Sequence, residues 1–79
     1  KQYSSGDKEI RHFHKEATEI TLILKGKVKM NNVEFNEGDI IKIYPMESTD
    51  FEAINDSITV VVKCPGELDD KYIGKAPNE

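Results

Sequence analysis

Apolar and polar residues alternate along most of this chain, and the alternation has period two. Ile10, His12 and His14 fall on one face of a first strand, with Arg11 and Phe13 on the other. Glu19 to Lys25 reads as a second strand, rich in branched residues. Glu19, Thr21 and Ile23 should face inward there, while Ile20, Leu22 and Leu24 cover the opposite side. Val28 and Met30, then Val33 and Phe35, flank Asn31-Asn32, a short hairpin turn whose asparagines tolerate positive φ. Ile40 to Tyr44 is stopped by Pro45, Thr49 to Ile54 gives another strand, and Ile58 to Cys64 the last long one. Turn residues separate these runs and no helical period competes. Six or seven short strands of this kind describe an all-β sandwich or small barrel, with Ile23, Ile41, Phe51 and Val61 expected inside. The folded domain should span residues 1–66. Residues 67–79 read as a charged tail in which Leu68, Tyr72 and Ile73 could anchor part of the segment against the sheet.

Size and charge narrow the picture. A 79-residue chain makes one domain, and one of this length hides only about 60% of the surface of its extended form. The sole cysteine, Cys64, leaves no internal disulfide and no structural CxxC zinc site, and within an apolar run it reads as a small buried hydrophobe rather than a nucleophile. A homodimer is therefore expected, joined by the face carrying Ile20, Leu22 and Leu24 or by edge-strand pairing. The formal charge is −4, from 15 acidic and 11 basic residues. The lysines are scattered, which argues against nucleic acid as a partner. The apolar runs are far shorter than a membrane span and no signal-peptide pattern opens the chain, so no membrane association and a cytoplasmic location are expected.

The chemistry concentrates in His12-Phe13-His14 and Glu19. These are the only two histidines, and imidazoles at i and i+2 point the same way from a strand. Burying two imidazoles and a carboxylate with nothing between them is costly, and a cation would relieve that cost. The three side chains are the expected ligands of one divalent transition metal, Fe, Mn, Ni or Zn, with coordination positions left open. A solvent-exposed polar cluster and a metal-free hydrogen-bonded site are the competing readings.

The same residues resemble the first motif of the cupin superfamily, G(X)5HXH(X)3-4E(X)6G. Gly6, His12, His14, Glu19 and Gly26 fit its spacing without a gap. The resemblance covers roughly residues 6 to 64 and implies a double-stranded β-helix, or jelly-roll barrel, with a metal inside. The second motif, G(X)5PXG(X)2H(X)3N, is poorly kept. Gly38 matches its first glycine, but Tyr44 stands at the proline, Met46 at the second glycine and Ala53 at the asparagine. Thr49 takes the place of the usual fourth metal ligand. Strand parity sets Thr49, Phe51 and Ala53 on the inner face and Asp50 on the outer one, so Asp50 is no substitute.

Three functions follow as expectations. The first is a small metal-binding cupin acting enzymatically on a small oxygen-rich, sugar-like or carboxylate substrate. The second is a non-catalytic module that binds or senses a small polar molecule. The third is a structural β-sandwich homodimer. Thr49, Tyr44 and Lys63 are the candidate ligand-binding or second-sphere residues, and no catalytic residue is assigned.

Overall fold

In the computed structural model, which describes residues 1–66 and 69–79, the alternation resolves into nine short strands. They are β1 (Gln2–Tyr3), β2 (Lys8–Phe13), β3 (Thr18–Lys25), β4 (Lys27–Met30), β5 (Val33–Asn36), β6 (Ile40–Ile43), β7 (Thr49–Ala53), β8 (Ser57–Cys64) and β9 (Tyr72–Ile73). Turn chemistry explains several boundaries. Asn31 and Asn32 both take positive φ, 50° and 63°, and close the β4–β5 hairpin between Met30 and Val33. Gly26, at φ 93°, turns β3 into β4 where a Cβ would collide with the Asp56 carbonyl oxygen and with Ser57.

The strands form two antiparallel sheets, ordered β1-β8-β3-β6 and β5-β4-β7-β2-β9. Every strand pairing runs within one sheet, so the two sheets stay open. The all-β class holds, but the closed double-stranded β-helix barrel does not, and the cupin resemblance fails with it. The reason is local. Inward–outward alternation is satisfied equally by a barrel or by two sheets packed face to face. The matching glycines Gly6 and Gly26 serve turns, with φ near 90°. That motif specifies the passage from β2 in one sheet to β3 in the other, not closure of the sheets.

One end of the space between the sheets is apolar. Ile23, Val28 and Ala53 have no exposed surface, and Met30, Ile43 and Phe51 complete the cluster. Burial of Ile23 or Val28 stabilises the fold by about 1.5–3 kcal/mol each. Ile41 is half-buried against this core, as are Tyr3 and Phe35. Val61 departs from expectation: it is 43% exposed and lines a cavity instead.

Parity also breaks in β2. A register shift between Glu9 and His12 lets Glu9 and His12 both reach the interior, while Ile10 is 67% exposed. Phe13 is buried as well, because Tyr72 stacks on its ring at 5.4 Å. β9 pairs with β2, the Gly74 N–H donates to the Arg11 carbonyl at 2.7 Å, and Ala76 is buried. The tail segment thus joins the sheet at Tyr72–Ile73; the expected anchor Leu68 lies outside the described residues. Among the described residues no helix is long and apolar enough to cross a membrane.

Candidate functional site: a polar cavity between the sheets

The other end of the interior is hollow. A cavity of about 360 Å³ is lined from the four-stranded sheet by Tyr3, Glu19, Thr21, Thr59, Val61 and Lys63. The five-stranded sheet supplies Glu9, His12, Met30, Thr49 and Phe51, and the exposed lysines Lys1 and Lys71 complete the lining. Strand period explains the set: Ser57, Thr59, Val61 and Lys63 share one face of β8, and Glu19 pairs directly with Lys63 across β3–β8.

The two histidines are positioned by backbone carbonyls. His12 Nδ1 bonds the Ile10 carbonyl at 2.9 Å, and His14 Nδ1 bonds the carbonyl of Asp70. A carbonyl only accepts, so each Nδ1 carries a hydrogen, and a ring in its neutral form then presents Nε2 as an acceptor. His14 is buried, and its Nε2 has no hydrogen-bond partner; it stands 3.6 Å from Glu19 Oε1. Glu19 is itself buried and accepts from the Thr21 hydroxyl at 3.3 Å. Asp70 organises this corner twice. Besides its carbonyl, its carboxylate accepts the N–H groups of Lys15, Glu16 and Ala17, which fixes the passage between the sheets. Burial works against the Asp70 charge, but those three N–H bonds outweigh it and hold the carboxyl below the usual aspartate range.

A second cluster lies across the cavity. The Tyr3 hydroxyl donates to Glu9 Oε2 at 2.5 Å, and the ammonium groups of Lys1 and Lys71 stand 3.6 and 3.8 Å from the same carboxylate. Burial, the bond to Glu9 and its charge push the Tyr3 hydroxyl well above the ordinary tyrosine range. Burial alone would raise Glu9, but the Tyr3 hydroxyl and the two lysines lower it overall. Thr59 Oγ1 is buried beside Tyr3 without a hydrogen bond of normal geometry. Lys63 makes no ion pair among the described residues.

The expected metal centre is not formed. His12 and His14 are anchored to different carbonyls, which sets their rings 80° apart with centroids at 5.8 Å. Glu19 leans toward His14 and Thr21, and the Thr49 hydroxyl donates to the Asp50 carbonyl at 2.9 Å. Among the described residues no group of three or more His, Cys, Asp or Glu side chains is arranged to hold a metal ion. The divalent transition metal, Fe, Mn, Ni or Zn, is therefore withdrawn, and the metal-dependent cupin enzyme with it.

Of the residues singled out from sequence, His12, Glu19, Thr49 and Lys63 line one cavity, and His14 sits behind Glu19. Tyr44 lies elsewhere, 52% exposed, with the Lys42 ammonium 5.0 Å from its ring centre. Asp50 faces away and pairs with Arg11 at 3.3 Å. Sequence reasoning missed Glu9, Thr59 and Asp70. Thr59 was readable from its parity with Val61; Glu9 was hidden by the β2 bulge and Asp70 by its distance along the chain. No protein-family model matches the chain, and no curated protein matches it in sequence.

Proposed function

We propose that the protein is a non-catalytic binding module that holds a small hydroxylated carboxylate, of the sugar-acid kind, between its sheets. The observation that carries this reading is the polarity of the cavity. Its inner wall offers the Glu19 carboxylate as an acceptor and, in the neutral Nδ1–H form of the ring, His12 Nε2, with His14 Nε2 behind and without a hydrogen-bond partner. Such a wall takes hydrogen bonds from ligand hydroxyls. Lys63, exposed and without an ion pair among the described residues, suits a carboxylate. The volume fits a molecule of a dozen or so heavy atoms. Tyr3 is pushed up and Glu9 down, so this hydrogen-bonded pair is not poised to exchange a proton near neutral pH. The proposal includes a cytoplasmic location; Cys64, expected to be buried, is an exposed free thiol.

The test is calorimetric titration with gluconate and glucuronate in buffer containing a chelator, with glucose and acetate as controls lacking one feature each. One sugar acid should bind with a stoichiometry of one and be recovered unchanged, and the controls should not bind. Lys63→Ala should weaken binding by about tenfold or more, as loss of a charge-assisted contact does. Failure of both sugar acids to bind at millimolar concentration, or conversion of the ligand, would contradict the reading.

A further inference from the structure

The strands that turn polar groups inward turn apolar groups outward. On the outer face of the four-stranded sheet, the register sets Ile40, Leu22 and Val60 side by side across β6, β3 and β8. The next outward row is Lys42, Ile20 and Val62. Ile20, Val60, Val62 and Ile40 are 38%, 45%, 55% and 68% exposed. Leu24, itself 52% exposed, and the half-buried Ile58 extend the face along its strands. The result is an aliphatic surface on the order of 600 Å², at the upper end of what a lone domain leaves open, bordered by Lys42 on β6 and by Lys25, the cross-strand partner of Ile58.

We infer that this face is covered by a second copy of the chain, packed sheet on sheet about a two-fold axis. Two such patches would remove about 1,200 Å² from water, the lower end of the range of stable specific interfaces. Lys42 lies on the edge strand β6 and Lys25 at the end of β3, so the aliphatic centre of the face between β3 and β8 can pack on its copy without burying a charge. The aliphatic centre of the face offers no polar group to specify an unlike partner. Edge-strand pairing is the rival arrangement and is separable by mutation, because it uses backbone rather than these side chains.

Sedimentation equilibrium at micromolar concentration tests the inference. The wild type should have twice the 9.0 kDa chain mass. The double variant Ile20→Lys, Val62→Lys should sediment as a single chain with an unchanged β-type circular dichroism spectrum, its dissociation constant raised about 100-fold or more. Val33→Lys, an equally exposed apolar position on β5 of the other sheet, should remain dimeric. A wild type that stays at the single-chain mass, or a dimer that survives the double lysine variant while folded, overturns the inference. Neither outcome bears on ligand binding in the cavity.

Discussion

The two ends of the interior are built from the same strands and do opposite things. At the end around Ile23, Val28 and Ala53 the facing side chains are aliphatic and without exposed surface. At the other end the buried positions are His12, His14, Glu19, Thr21 and Thr49, and Thr59, the cross-strand partner of Ile23, stands where the two meet. β3 passes from one to the other within five residues: Glu19 and Thr21 are in the polar half, Ile23 in the apolar half. Stability therefore resides at one end, and the other retains polar groups whose burial costs free energy unless a partner satisfies them. Under the proposed function, the polar end is the one that binds.

The largest blow to the comparison should come from the apolar end. Ile23→Ala should destabilise the fold by about 2–5 kcal/mol in urea denaturation, since a fully buried side chain leaves a cavity. A loss below about 1 kcal/mol would mean that this end is not the core. Gly26→Ala comes next. The positive φ alone should cost about 1–3 kcal/mol, and collision with Asp56 and Ser57 adds to it because backbone must move. Thermal melts would register this as a lowered midpoint.

A smaller effect is expected at the strap between the ends, and it has a pH signature. The Asp70 carboxyl is lowered in the fold, so its contribution is complete above about pH 4, the ordinary aspartate range. It is lost as pH falls through the lower folded value. Asp70→Asn should reduce stability at neutral pH and flatten the acid side of the stability–pH curve. An unchanged acid slope would remove Asp70 from the account. The smallest change belongs to Thr59→Val. Replacing a buried hydroxyl that lacks a normal hydrogen bond should leave the free protein within about 1 kcal/mol of wild type or slightly more stable, while weakening sugar-acid binding in the same calorimetric titration. Marked destabilisation of the free protein would show the hydroxyl to be structural.

Much of this was legible from residue order. Parity along β3 and β7 foretold that Ile23 and Phe51 point inward and Asp50 outward, and the paired asparagines foretold the β4–β5 turn. Parity failed where an extra residue shifts the register, so Glu9 took an inner place that Ile10 was expected to share with His12. Closure of the sheets was not legible either, because alternation constrains faces and not edges. The fit to a metal motif identified residues that do gather at one end. Their ring orientations depend on carbonyls, including that of Asp70, that no local spacing encodes.

The central claim is that the acceptor wall of the polar end takes a ligand's hydroxyl groups. Nitrogen-15 NMR of the two imidazole rings, before and after addition of gluconate or glucuronate, tests it most directly. Free protein should show both rings as the Nδ1–H tautomer, and saturation should shift the His12 Nε2 resonance while His12 Nδ1 stays bonded to Ile10. The account is contradicted if His12 carries its hydrogen on Nε2 in the free protein, or if a bound sugar acid leaves that resonance where it was.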